Sequence, residues 1–271
     1  MILVVLAAVA GLAAPEFARI DAALADGRTA VARRLIEHAP KEAVADELAL
    51  RVAELALAEG RTDAAAAAFA VLAANPGLAA LAFQGSALAA AQRGDDIAAG
   101  AALDRALGLD PALPRAWNLR AVLADRRADW PAAEAAYARA LQLSPDEAVY
   151  HSNRGYSRLL QRRPADALVD LDAALRLAPG LPAALTNRRL ALALAGNYDA
   201  AFAGASRRDI VRDLNIVGVG AMMRGDTAAA RGYFTRAIEK NPEFDRIAWR
   251  NLAYLDRVAP RALPGAAAKE P

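Results

Sequence analysis

Arg120, Arg154 and Arg188 stand 34 and again 34 residues apart. Guanidinium groups at a fixed interval could hold an acidic ligand or a phosphate through bidentate, charge-assisted hydrogen bonds. The spacing also suits an internal role, in which each stem runs through a helix pair and its head meets an aspartate such as Asp104, Asp170 or Asp172. Identical register in successive copies favours the internal role. Other groups able to do chemistry are few. His38 and His151 are far apart and have no metal-ligand spacing around them. There is no cysteine, which excludes disulfides, zinc–thiolate sites and cysteine nucleophiles. No glycine-rich phosphate loop, H-E-x-x-H or G-x-S-x-G occurs. The sequence predicts no catalytic centre, no metal and no cofactor. The pairs Arg126–Arg127, Arg162–Arg163, Arg188–Arg189 and Arg207–Arg208 mostly fall near helix ends, where a cation complements the C-terminal dipole.

An arginine every 34 residues needs a scaffold with the same period, and the surrounding sequence supplies one. Pro111, Pro145 and Pro179 share the spacing. Each closes a helix that it cannot continue. Five residues before each stands an alanine (Ala106, Ala140, Ala174), three before that a bulky residue (Leu103, Tyr137, Leu171), and four earlier another alanine (Ala99, Ala133, Ala167). Steps of 4 and 3 put all three on one helical face. Alanine there lets a second helix approach closely. Phe83 and Trp117 anchor the preceding helices, and a turn at Gly94, or its variant Ala128-Asp129-Trp130, joins the two. Hydrophobic residues make up 56% of the chain and aromatics only 6%, with alanine abundant and period-two alternation almost absent. The fold class predicted is all-α.

Residues 114–147 carry Trp117, Trp130, Ala133, Tyr137, Ala140 and Pro145, and this pattern resembles the tetratricopeptide repeat (TPR). Residues 148–181 repeat it with Gly155, Ala167, Leu171, Ala174 and Pro179. Residues 211–244 do so with Gly218, Gly225, Ala230, Phe234, Ala237 and Pro242. Looser copies cover 80–113, 46–79 and about 13–45. The resemblance implies a right-handed α-solenoid of about six to seven helix-turn-helix units over residues 15–258, with a C-terminal capping helix. That cap runs from Phe244 to Val258, and Trp249, Leu252 and Tyr254 are expected to cover the last core face. The register slips once: units open at 182 and at 211, only 29 residues apart. The helix between, roughly Tyr198 to Arg208, is expected to be short and to change the local curvature. The tail, 259–271, is rich in Pro, Ala and Gly and is expected to be disordered.

In TPR proteins the first helix of each unit lines a concave groove, so the resemblance implies a partner-binding surface. The matching positions are Arg115, Asn118, Val122 and Arg126, then Ser152, Tyr156 and Leu159, then Thr186 and Leu190, then Asn215, Val219 and Met222. Such a surface, apolar with sparse polar guides, suits an extended peptide or a helix of another protein. It holds no lysine, which argues against a clamp for a C-terminal carboxylate. A second reading stays open, in which Leu159, Leu160, Leu190 and Leu194 are simply buried in a tight alanine-rich stack.

With 33 basic residues against 31 acidic, no nucleic-acid partner is expected. Met1 to Ala14 is apolar, ends in small residues and has no Lys or Arg before Arg19. It reads either as a signal peptide or as the first helix. It is shorter than the ~18 residues of a membrane span, and membrane contact is expected only if it is retained. The run Asn215 to Leu255 resembles the TPR proteins of Flp/Tad pilus assembly. That resemblance implies a non-catalytic adaptor in assembly of a cell-envelope machine, such as a Flp/Tad-type pilus or secretion system, in the periplasm or envelope. The alternative is a soluble cytoplasmic TPR scaffold or co-chaperone.

Overall fold

Between the two helices of each pair the backbone turns into the left-handed region, at Gly27, Gly60, Gly94, Ala128, Arg162, Gly196 and Gly225. The intervals are 33, then 34 four times, then 29. At each, the next residue donates its N–H to the carbonyl five positions back, as in Asp95 to Ala90 and Asp129 to Ala124, both at 3.0 Å. This bond closes a helix C-terminus around a residue with positive φ. Each such turn ends the first helix of a pair, termed A, and starts the second, termed B. Asp95 and Asp129 then cap their B helices by accepting from Ala98 and Ala132.

The structure, a computed structural model, describes residues 15–39, 45–204, 209–240 and 246–259. The apolar segment 1–14, Arg207–Arg208, Pro242, Phe244 and nearly all of the tail lie outside the described residues. The pairs are α1 (Pro15–Ala25) with α2 (Thr29–Glu37), α3 (Ala45–Ala58) with α4 (Thr62–Leu72), α5 (Ala79–Gln92) with α6 (Asp96–Leu109), and α7 (Pro114–Arg126) with α8 (Trp130–Leu143). They continue as α9 (Ala148–Leu160) with α10 (Pro164–Leu177), α11 (Pro182–Leu194) with α12 (Tyr198–Phe202), and α13 (Ile210–Arg224) with α14 (Thr227–Lys240), before a last helix α15 (Arg246–Val258). The fold is all-α, a TPR-like solenoid of helix pairs. The chain forms two compact units, one ending at Asn153 and one beginning at Arg154, within α9.

In the first unit the cores are built as the repeat predicts. Ala99, Leu103 and Ala106 on α6, and Ala133, Tyr137 and Ala140 on α8, are at most 1% exposed. Trp117 donates its indole N–H to the Pro111 carbonyl at 2.9 Å, and His151 places Nε2 2.8 Å from the Pro145 carbonyl. These two side chains, 34 residues apart, tie an A helix to the proline that closes the preceding pair. His151 is thus a packing residue at the tryptophan position.

In the second unit Ala167, Leu171 and Ala174, and Ala230, Phe234 and Ala237, are fully buried. Glycine on helix A makes room for the bulky residue: a Cβ at Gly155 would sit 2.8 Å from Leu171, and one at Gly218 would sit 2.5 Å from Phe234. The register slip shows itself at α12, which is only five residues long. With so little of a B helix between them, the A helices α11 and α13 pack directly on each other. Gly220 permits this, since a Cβ there would lie 2.4 Å from the Ala193 Cβ. The cap differs from expectation. Ala248 and Leu255 are fully buried and Leu252 packs in the cluster of Leu255, whereas Trp249 is 44% and Tyr254 47% exposed. Ala248, Leu252 and Leu255 follow the i, i+4, i+7 spacing of one helical stripe, and the two aromatics fall outside it.

Ala128 adopts the left-handed conformation with φ 55° at an exposed turn. A non-glycine residue there costs about 1 kcal/mol that glycine does not. Ala128→Gly is expected to stabilise the chain by about 1 kcal/mol at most, because the freer unfolded chain offsets part of the gain. Thermal unfolding followed by circular dichroism should show a midpoint raised by about 2 °C. A lowered midpoint would mean that position 128 carries no backbone strain for glycine to relieve.

Candidate functional site

In the first unit the expected groove positions are occupied by internal contacts. Arg115, Asn118, Val122 and Ser152 are at most 4% exposed. Arg115 on α7 reaches back over a whole repeat to Glu54 on α3, with Nη1 3.0 Å from both carboxylate oxygens. Asn118 accepts a hydrogen bond from Asn153 at 3.1 Å. Tyr137 donates to Asp125 at 2.8 Å, and burial, reinforced by that carboxylate, pushes its phenol well above the usual range. Further along the same face Arg51 pairs with Asp21 at 2.8 Å and stacks over Phe17 at 4.3 Å. Burial raises the Asp21 carboxyl, with Arg51 acting against it. Buried charges with such partners are structural, because removing one leaves the other stranded. Arg126 is exposed, and it pairs with Asp96.

In the second unit the same face is more open and more apolar. Tyr156 on α9, Thr186 and Leu190 on α11, and Val219 and Met222 on α13 are half-buried, while Leu159 and Asn215 are buried. Tyr156, Leu190 and Met223 rest on one core cluster around Leu159, Ala184 and Leu194. Val219 and Met222 rest on the next, around Ala221 and Leu255. Arg162, at the turn after α9, donates to the Met223 carbonyl at 2.8 Å.

The arginines of the ladder each pair with an aspartate of the chain. Arg120 pairs with Asp104, Arg154 with Asp170 at 2.6 Å and Arg188 with Asp172 at 2.6 Å. Each aspartate lies on a B helix 16 residues away, twice in the preceding repeat and once in the arginine's own. Arg189, its sequence neighbour, has the more specific task of bridging the slip. Its Nε donates to the Ala201 carbonyl in α12 at 2.8 Å, and its Nη1 lies 2.9 Å from Asp213 on α13. Asp213 is 1% exposed, and burial raises its pKa despite Arg189 and Arg212. Nothing in the repeat singled out Arg189, since its pairing arises only where a repeat is cut short.

Among the described residues no three His, Cys, Asp or Glu side chains are placed to hold a metal, and no helix is long and apolar enough to cross a membrane. No protein-family model matches the sequence, and no curated protein does. Solved structures do. The chain is 19% identical to Pseudomonas aeruginosa PilF, with a TM-score of 0.58, covering 79% of this chain and 97% of that one. It is 20% identical to YrrB, a TPR protein with an unusual peptide-binding site, with a TM-score of 0.53, covering 68% and 97%. It is 20% identical to PilW, a widely conserved type IV pilus biogenesis factor, with a TM-score of 0.50, covering 68% and 96%. It also matches parts of longer chains, spanning 46% of one from the Cut9–Hcn1 complex and 26% of a Thermobaculum terrenum O-GlcNAc transferase. The chain has the tetratricopeptide-repeat fold. Proteins of that fold, pilus biogenesis factors among them, are what it resembles in three dimensions.

Arg189→Met should leave the Asp213 carboxylate with only the more distant and exposed Arg212, 3.6 Å away, among the described residues. The loss is expected to be about 3–5 kcal/mol at pH 7. It should be smaller near pH 4. The raised pKa of Asp213 means the folded state holds its proton more tightly than the unfolded chain, so a protonated Asp213 needs no cation and the penalty grows as pH rises. Adding Asp213→Asn should recover most of the loss. Urea unfolding at both pH values checks this, and a loss independent of pH would contradict it.

Proposed function

We propose that this chain is a non-catalytic adaptor that holds an extended peptide or helix of another protein in assembly of a cell-envelope machine, such as a Flp/Tad-type pilus or secretion system. The observation that carries the reading is the row of half-buried apolar side chains on the A helices of the second unit: Tyr156, Leu190, Val219 and Met222, with Thr186 as a polar guide. Apolar pockets give affinity for a chain laid across them, and sparse hydroxyls give register. Leu159 and Asn215, buried on α9 and α13, then act from beneath this row, while Arg115, Asn118, Val122 and Ser152 are buried within the first unit. Arg126 sits at the exposed end of α7. The envelope assignment draws support from the fold shared with PilW and PilF and from the apolar sequence at Met1 to Ala14.

A photo-crosslinking amino acid at Leu190 should give a discrete adduct in the native host. The same group at Val169, 66% exposed on the B helix α10, should not. Tyr156→Ala and Leu190→Asp should each reduce partner capture at least tenfold, with helicity by circular dichroism unchanged. Equal crosslinking from both positions would overturn the surface. A mature N-terminus near Ala14 or Pro15 in the periplasmic fraction supports the envelope assignment. An intact Met1 in the cytoplasmic fraction would overturn it in favour of a cytoplasmic scaffold.

A further inference from the structure

We propose a second recognition site in the first unit, on the side of α7 away from the A-helix face: a trough between α6 and α8 that takes an acidic peptide segment of a partner protein. The helices α6 and α8 do not pack on each other, and α7 forms the floor between them. The open trough offers about 690 Å³, within the range of sites that hold ligands. Leu103, Leu123, Ala124 and Ala136 form a buried apolar floor, and Gly100, Ala132 and Ala135 keep the walls low. A Cβ at Gly100 would meet nothing within 4 Å, so the wall there is open.

The charges around this trough do not cancel. Arg120, Arg127 and Arg139 line it with a single carboxylate, Asp104. Asp104 is taken by Arg120, whose guanidinium also lies 5.4 Å over the Trp117 ring. Three arginines less one aspartate leave a formal surplus of two positive charges. Arg139 spends one N–H on Gln142 of its own helix. Arg127 is exposed and has no ion-pair partner among the described residues. Two guanidinium groups thus flank an apolar floor with donors to spare, and guanidinium forks favour carboxylates bidentately. At about 100° per residue, Trp117, Arg120, Ala124 and Arg127 lie roughly opposite Arg115, Asn118 and Val122 around α7. The trough is therefore separate from the apolar row on α9, α11 and α13, and the two can succeed or fail independently. An apolar floor with paired cations at its rim fits a segment alternating small apolar residues with Glu or Asp.

The test uses the purified full chain and two fluorescein-labelled 12-residue peptides, one of leucine, alanine and glutamate and one with every glutamate replaced by glutamine. Fluorescence anisotropy at low salt should show the acidic peptide binding at least tenfold more tightly than the glutamine peptide. Arg127→Glu with Arg139→Glu should abolish that preference. Gly100→Trp should block binding by filling the trough, with the melting midpoint unchanged. Leu190→Asp should leave binding intact. Equal binding of the two peptides, wild-type binding by either trough variant, or loss through Leu190→Asp would overturn the proposal. Equally tight displacement by a single-stranded DNA 12-mer would overturn it too, since the trough would then recognise polyanions in general.

Discussion

Everything in this protein depends on how closely the B helix can lie against the A helix. Alanine at Ala133 and Ala140, with Tyr137 between them, sets that distance in one repeat, and Ala167, Leu171 and Ala174 set it in another. A methyl group where backbones meet permits near contact, and the one bulky residue fills the gap that remains. The glycines of the A helices are the complementary half: Gly155 receives Leu171 and Gly218 receives Phe234. Because each pair buries little apolar surface by itself, the pair is stable only when stacked on its neighbours. The polar groups of the A helices are drawn into that stacking. Arg115 reaching Glu54 past α5 is the clearest case, an ion pair that makes three successive pairs mutually dependent.

The truncated α12 relaxes this constraint, and the neighbouring helices respond. A five-residue B helix cannot hold α11 and α13 apart, and they close onto each other through Ala193 and Gly220. Closure brings Asp213 out of water, and a buried carboxylate must be compensated. Arg189 supplies the compensation and at the same time satisfies a carbonyl at the end of α12. A deletion of five residues is thus absorbed by one glycine and one arginine, each placed where the regular repeat would not need it.

Much of this was legible in the sequence because periodic spacing reports periodic packing. The Ala–bulky–Ala faces, the alternation of A and B helices, the short α12 and the equivalence of His151 with Trp117 all follow from register alone. The pairing of the arginine ladder with Asp104, Asp170 and Asp172 did too. Contacts that skip a repeat did not. Arg115 and Glu54 are 61 residues apart and match no period in the sequence, so Arg115 looked like a groove residue and is a buried one. The cap misled for a different reason. Trp249 and Tyr254 have the bulk expected of core residues, but bulk does not override helical phase, and Ala248 with Leu255 holds the buried stripe. The trough beside Trp117 was illegible because three helices must be in place before Arg127 and Arg139 share a space.

The same A-helix positions therefore play two roles along one chain. In the first unit they are polar, and several of them are engaged inside the unit: Arg115 with Glu54, Asn118 with Asn153, Asp125 with Tyr137. A polar group whose hydrogen bond is already made offers a partner little, because a new bond would replace an existing one. In the second unit the positions are Tyr156, Leu190, Val219 and Met222, whose exposed area is apolar and gains by being covered. On the other side of the first unit Arg127 and Arg139 face an apolar floor. Repetition of one packing rule thus leaves the outward chemistry of each repeat free to differ, apolar in one unit and cationic in the other.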